Sequence, residues 1–534
     1  MPDAQDSQFA KTPNFLFIMC DQLRQDYLSC YGHATLATPN IDRLGRRGVR
    51  FENAYCQSPL CAPSRASFYT GRYQSSHGVC SNDDATQLGE YMLADYLRPL
   101  GYRSAVVGKT HNYKSPAELK RCQISPESDF AKSAGSGGFE PYEHHEGLYP
   151  DPILPENLGY TNYLNSLGWR DANPWQTRAN SGIDNNGNLH SGWSLRSSVY
   201  PAAISEEHSE TAFTTRRAMD FITESRDQPW CLHLSYIKPH WPIIAPAPYH
   251  AMFRKHDVQA VVRSESERAS PHPVIDAFMK AEYSQNYADD EIRDIVVPVY
   301  MGLVKQIDDH IGRLWTFLED RGLLKNTVIV FASDHGDYLG DHWLGEKDLF
   351  HDPSVKIPFI IVDPNRQADA SRNRVATELV ESVDIVPTFV ELAGGQISRE
   401  RVEGKSIVPI LRSEEPISNW REYTVSEIDY ADRGARYQLD IEPYECRATM
   451  VRSGRWKYIY YKGYPDQLFD LDDDPNELND LGREPGMRKI ARRMKDALYD
   501  WQYSLKRRVG ISYDEALIQG PERDEKFGIV IGRR

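Results

Sequence analysis

Cys61, Pro63 and Arg65 stand together in the run SPLCAPSRASFYTGR, and their types and spacing suit a nucleophile held at the start of a helix. Free backbone N–H groups at such a start attract an anion, and a proline is tolerated in the first helical turn. Taken alone, this is the chemistry of a cysteine thiolate. Four further clusters carry ligating, basic or acid/base groups: Asp21-Gln22, Lys109-Thr110-His111, Lys238-Pro239-His240 and Asp334-His335-Gly336.

Each of the four follows a short apolar run. Five such runs, residues 15–20, 104–107, 231–236, 328–332 and 359–362, read as buried parallel strands. Open parallel sheets bind ligands beyond the carboxyl ends of their strands, so the four clusters are expected to face one crevice. Helices fill the gaps. Residues 289–321 place Tyr300, Leu303, Ile307, Ile311, Leu314 and Leu318 at steps of three and four and stop at Gly322. Shorter helices are expected at 41–47, 88–97, 210–224 and 382–393.

The chain has 534 residues, 40% hydrophobic, enough for a large α/β core with a smaller appended unit. Its net charge of −15 and lack of basic blocks exclude long polyanions such as nucleic acid as partners. The first twenty residues lack the basic start of an export signal, and no run reaches membrane-spanning length. The eight cysteines have no framework spacing and form no CxxC pair, which suits buried thiols in a reducing, cytoplasmic compartment.

Residues 112–201 turn to Gly, Ser, Asn, Pro and aromatics, as expected of an insertion forming a lid or pocket wall. After about residue 418 short alternating strands follow, at 449–451, 456–461 and 467–470, read as a small antiparallel sheet. The acidic LDDDPNELNDL reads as a solvated turn and helix start. Residues 488–507 carry Ile490, Met494, Leu498, Trp501 and Leu505 on one face, which could pack at home or on another subunit. The expected division is a catalytic unit at 1–418 and a C-terminal unit with a helical tail at 419–534.

CAPSR followed by ASFYTGR resembles the sulfatase signature, and Asp21, GKTH and SDHG stand where that family's other motifs stand. YIKPHWPIIAPAPYH, SDHGDYLGDHWLGEKDLFHDPSVKIPF and LFDLDDDPNEL resemble the branch containing the phosphonate monoester hydrolases. The resemblance implies an alkaline-phosphatase-like fold: a mostly parallel sheet flanked by helices, with a smaller C-terminal antiparallel sheet. It also implies that Cys61 is oxidised to formylglycine by a formylglycine-generating enzyme. One hydroxyl of the aldehyde hydrate attacks sulfur or phosphorus, and the second releases the product.

Family position makes Asp21, Gln22, Asp334, His335 and the modified Cys61 the metal ligands. Many sulfatases carry Asp at position 22 and Asn at 335. Gln22 and His335 follow the phosphonate hydrolases instead, which leaves calcium or manganese as the expected divalent ion, with zinc a further option. Arg65 is expected to pair with the nucleophile oxygen or the substrate, Lys109 to clamp a substrate oxygen, and His111 to act as base in collapse of the intermediate. His240 and Lys347 match the acid and second cation at the leaving oxygen, and Asn82 and Thr110 are expected to line the anion site. His77, His342 and His351 are read as structural.

The retained GKxH favours sulfate esters over phosphonate monoesters and phosphodiesters as main substrates. The two rivals are a phosphonate monoester hydrolase or phosphodiesterase, and a non-enzymatic metal or anion binder in which Cys61 stays a thiol. The substrate is a small anionic ester, no membrane partner is expected, and the resemblance implies a homodimer or homotetramer.

Overall fold

Four of the five apolar runs become neighbouring parallel strands. In the computed structural model, which describes residues 12–518, fourteen strands are formed. They are β1 (Asn14–Asp21), β2 (Val49–Tyr55), β3 (Arg103–Gly108), β4 (Glu140–His144), β5 (Ser181–Ile183), β6 (Leu189–Ser191) and β7 (Trp230–Pro239). Then follow β8 (Thr327–Ser333), β9 (Phe359–Val362), β10 (Arg374–Glu381), β11 (Thr424–Asp429), β12 (Arg447–Ser453), β13 (Trp456–Tyr461) and β14 (Gln467–Asp470). The main sheet runs β10-β2-β9-β8-β1-β7-β3-β4. β1 is central and buried throughout, parallel to both β7 and β8.

Alternation along β1 divides the core. Phe15, Phe17 and Met19 join one apolar cluster with Phe68 of the Cys61 helix, while Leu16, Ile18 and Cys20 join the opposite cluster with Leu303, Ile307 and Ile311. The Cys61 helix and the long helix Asp290–Asp320 therefore lie on opposite faces of the sheet. The long helix starts as expected, with Asp289 Oδ1 accepting the Glu291 N–H at 2.9 Å.

Residues 359–362 depart from expectation: β9 is antiparallel to both β8 and β2. The chain leaves β8 at its carboxyl end, loops over that end with only a 3-10 turn (Asp341–Trp343) and the short helix Asp352–Val355, and re-enters from the same side. A parallel strand would need a crossover to the far end. β2, β4 and β10 show no continuous apolar run: β2 and β10 lie near one edge and carry polar residues at half-buried or exposed positions, and β4 forms the other edge. The helix expected at 88–97 shortens to Leu93–Leu97.

The stretch 112–201 is more than an excursion, since it supplies β4 to the main sheet and the hairpin β5-β6. It also builds its own aromatic core, with Tyr149, Tyr160 and Trp175 packed on Ile237 of β7 and on Ile244 beyond it. A separate antiparallel sheet, β11-β12-β13-β14, follows. The helix Arg488–Ser504 lays Met494, Leu498 and Trp501 on that sheet. Its apolar face is thereby covered at home, which removes the sequence ground for subunit contact there; the tail beyond residue 518 lies outside the described residues. LDDDPNELNDL forms turns with no helix start, and Glu477 within it is buried against Lys457. No helix among the described residues is long and apolar enough to cross a membrane.

Candidate active site

The carboxyl ends of β1, β3, β7 and β8 meet the start of the helix Cys61–Thr70, and the loop after β8 closes over them. Close approach needs glycine at two points. A Cβ on Gly108, at φ +107°, would lie 1.9 Å from Ser235 O, and one on Gly336 would lie 1.9 Å from Pro353 O. Ser333 ties the two central strand ends together, its Oγ donating to Cys20 O at 2.8 Å and accepting the Leu23 N–H at 2.9 Å.

Cys61 is the first residue of a helix buried along its whole length. Its sulfur lies 3.1 Å from His335 Nε2 and 3.8 Å from Asp21 Oδ1, and Lys347 Nζ approaches it at 3.3 Å. One potential ligand atom from each of Asp21, Cys61, Asp334 and His335 falls within 4.8 Å of the others. Two carboxylates, an imidazole and a sulfur position fit a hard or borderline divalent ion. His335 Nδ1 faces Gly336 O at 2.9 Å, which leaves Nε2 aimed at the cluster.

Arg65 does not point outward. Its Nε donates to Asp334 Oδ2 at 2.8 Å, Nη1 to Lys109 O and Ser235 Oγ at 2.9 Å each, and Nη2 to Asp21 Oδ2 at 3.1 Å. Four of its five N–H bonds are engaged in this way, so the guanidinium holds both carboxylates in place.

Lys109 Nζ lies 2.7 Å from Asp21 Oδ2, yet it has no well-aligned hydrogen-bond partner although buried. The ion pair engages one of the ammonium's three N–H bonds and leaves the others for another oxygen. Lys347 Nζ donates to Gln22 Oε1 at 2.7 Å and lies 3.2 Å from His240 Nε2. His240 Nδ1 faces Trp241 O at 2.7 Å, so Nδ1 carries the hydrogen and Nε2 accepts from Lys347.

Charges follow from these contacts. Burial pushes the Cys61 thiol up, but Lys347, Lys109 and His335 outweigh it and hold the group well below the usual thiol value. Burial and Cys61 push the Asp21 carboxyl up, and Lys109, His240 and Arg65 hold it below the usual carboxylate range. Burial alone would lower His335, but Asp334 and the Cys61 sulfur bring it to about 9. Burial and Lys347 depress His240 to about 4.

With this geometry in place, the sulfatase family model matches residues 13–395, most of the chain. The chain belongs to the sulfatase family. A second match covers residues 340–504, to the C-terminal part of N-sulphoglucosamine sulphohydrolase. The multifunctional alkaline phosphatase superfamily protein PehA of Trinickia caryophylli is 30% identical, over 92% of this chain and 95% of that protein. An arylsulfatase of Clostridium perfringens is 28% identical, over 88% and 90%. The phosphonate monoester hydrolase structure of Agrobacterium radiobacter superposes with a TM-score of 0.78 at 28% identity, over 92% and 95% of the two chains. Proteins of the sulfatase family generally hold a divalent metal and use formylglycine.

Within this sulfatase fold the sequence-derived residues separate into groups. Asp21, Cys61, Asp334, His335, Lys109, His240 and Lys347 converge at one centre. Gln22, at φ +63°, borders it: its backbone N–H donates to Asp334 Oδ1 at 3.0 Å, its Oε1 accepts from Lys347, and its Nε2 donates to Asp337 and Glu346. His111, at φ +46°, has its buried Nδ1 unpartnered. Asn82 Oδ1 accepts the Ala62 N–H at 3.0 Å and so caps the Cys61 helix from outside. Thr110 Oγ1 is engaged by His144 at 2.9 Å and donates to Glu146 at 3.3 Å.

Sequence reasoning missed Glu146, Asp337, Glu346 and Trp241. Glu146 receives the His111 N–H on both carboxylate oxygens at 3.0 Å and His144 Nε2 at 2.8 Å. Glu346 accepts the Trp241 Nε1–H at 2.7 Å. Asp337 and Glu346 flank read motifs and could have been found there. Glu146 lies in the insertion with no local signal.

Proposed function

We propose that this protein hydrolyses sulfate esters, with phosphonate monoesters and phosphodiesters as side substrates. The observation that carries the reading is the buried meeting of Cys61 with Lys109, Lys347 and His240 around the Asp21–Asp334–His335 donor set. Cys61 is read as the precursor of formylglycine, made by a formylglycine-generating enzyme, and its sulfur stands where the hydrate oxygens would be. Asp21, Asp334 and His335 would hold the ion, with Gln22 Oε1 at its edge; the imidazole nitrogen favours manganese over calcium.

When present, the ion supplies Lewis acidity and the formylglycine hydrate supplies the attacking and releasing hydroxyls. The chain's own groups do the rest. Lys109 offers its free N–H bonds to a non-bridging ester oxygen, where charge accumulates. Lys347 and His240 share the hydrogen bond that a leaving oxygen would enter, so the departing alcohol takes its proton from that pair. His111, with an unpartnered ring nitrogen, accepts the proton released on product formation. Arg65 already pairs with the Asp21 and Asp334 carboxylates, so Lys109 and Lys347 are the cations that face the ester, which suits a singly charged tetrahedral centre. A reducing, cytoplasmic setting is part of this proposal, on the ground that the cysteines have no framework spacing.

The test is a substrate panel with one aryl leaving group as sulfate, phosphonate monoester, phosphodiester and phosphate monoester, on protein whose Cys61 conversion is quantified by peptide mass. Sulfate is expected to give the highest kcat/KM, phosphate monoester the lowest, and Cys61→Ala to abolish turnover. Near wild-type activity in Cys61→Ala would end this reading. A second reading, phosphonate monoester hydrolysis as the main reaction, is favoured by Gln22 and His335; a sulfate value well below the phosphonate and diester values would select it.

A further inference from the structure

The organic half of the ester must leave on the side where a proton is supplied, and that side carries a run of aromatic rings. The His240 and Trp241 rings are 4.5 Å apart, and Trp193 meets Trp241 edge-to-face at 5.6 Å. Trp241 is pinned through its Nε1–H to Glu346, next to Lys347. Trp193 comes from the turn after β6, in the stretch 112–201.

Two features show that Trp193 is placed rather than loose. A Cβ on Gly192 would lie 2.4 Å from Asn180 O and 2.8 Å from Ile244 Cγ1, so the chain before Trp193 is pressed onto the segment that follows His240. Its Nε1–H donates to Gln176 Oε1 at 2.6 Å. Yet 38% of Trp193 remains exposed. An indole held by its backbone and its one polar atom, partly exposed and one ring removed from His240 through Trp241, is suited to stacking. Both indole N–H groups are already committed, so neither offers a hydrogen bond to a sugar hydroxyl.

We propose that Trp193 and Trp241 form the leaving-group subsite, and that the alcohol released is aromatic and stacks on Trp193. This rests on the assignment of the His240–Lys347 side as the leaving side under the proposed function. It makes Trp193 a specificity-determining residue contributed by the 112–201 stretch.

Trp193→Ala and Trp193→Phe are compared with wild type on an aryl sulfate, a short alkyl sulfate and a pyranose 6-sulfate, with full Cys61 conversion in each. Trp193→Ala is expected to lower kcat/KM for the aryl ester by about ten-fold, to lower it far less for the alkyl ester, and to be largely rescued by Trp193→Phe. Equal loss on aryl and alkyl esters, no loss, or a pyranose sulfate turned over better than the aryl ester with the same Trp193 dependence would overturn the proposal. Calorimetric binding of a free phenol to the Cys61→Ala protein, with and without Trp193→Ala, separates the two readings. Phenol binding lost with Trp193 supports the subsite even if sulfate turnover fails, whereas binding indifferent to Trp193 overturns it.

Discussion

Arg65 shows how a motif residue can be legible while its task is not. Its place in CAPSR marked it as part of the centre, but its four donated hydrogen bonds go to Asp21, Asp334, Lys109 O and Ser235. Lysine keeps the charge but has a point ammonium that cannot span these acceptors. Arg65→Lys is therefore expected to leave a buried carboxylate poorly paired, costing about 3–5 kcal/mol, and to lower bound metal several-fold by elemental analysis. Unchanged metal content would assign Arg65 to substrate instead. Lys347→Ala removes the group that joins Gln22, Cys61 and His240. Turnover should fall on the order of 10²–10³, and a loss confined to KM would contradict its place at the leaving oxygen. Asp21, Lys109, His240 and Asp334 are legible because each ionisable group ends an apolar run, whereas Cys61, Arg65, Asn82 and Lys347 are legible only through the motifs and the resemblance they carry. Glu146 was not read because nothing local marks it: its function arises from contact with residues 110 and 111, more than thirty positions away.

The same distinction holds for whole elements. β1, β3, β7 and β8 were legible because burial on both faces writes a continuous apolar run, whereas the edge-side β2 and β10 carry no such run and the direction of β9 depends on where the preceding loop travels. Elements also hold one another in ways that can be measured. Glu146, just beyond β4, clamps the turn after β3 and keeps His111 in its left-handed backbone. Glu146→Gln retains the shape but loses an acceptor, so kcat should fall about ten-fold or more with little change in KM; an effect on KM alone would count against this positioning role. Glu427 of β11 accepts the Ser75 N–H at 3.0 Å, and burial pushes its carboxyl up to about 7. Its folded value lies above its unfolded one, so the folded state holds the proton longer and stability from this group is lost as pH rises towards and through 7. Glu427→Gln lacks that titration. Denaturation between pH 5 and 8 should show the variant gaining on wild type as pH rises, and a constant difference would mean that Glu427 is already ionised at pH 5.

At the scale of the whole molecule, the antiparallel sheet β11-β12-β13-β14 and the helix packed on it help to hold the centre. Glu427 N–H donates to Gln57 O at 2.8 Å, and Tyr73 meets Trp501 edge-to-face at 5.1 Å. The tightest link is Lys457 of β13, fully buried, whose Nζ donates to Phe350 O at 3.0 Å and pairs with Asp352 and Glu477 at 2.6 Å each. Phe350 and Asp352 follow Lys347 within five residues, so the small sheet grips the loop that delivers the second cation to Cys61. Replacing Lys457 by methionine keeps the stem but leaves two buried carboxylates without their cation, a loss expected to cost about 3–5 kcal/mol. Because the strain falls on the Lys347 loop, turnover should decline under conditions where chemical denaturation still shows a folded protein. Adding Glu477→Gln removes one of the stranded charges and should return part of the stability. If Lys457→Met lowers stability but leaves kcat at the wild-type value, the grip on the loop is structural only and Lys347 is placed by its own contacts with Gln22 and His240.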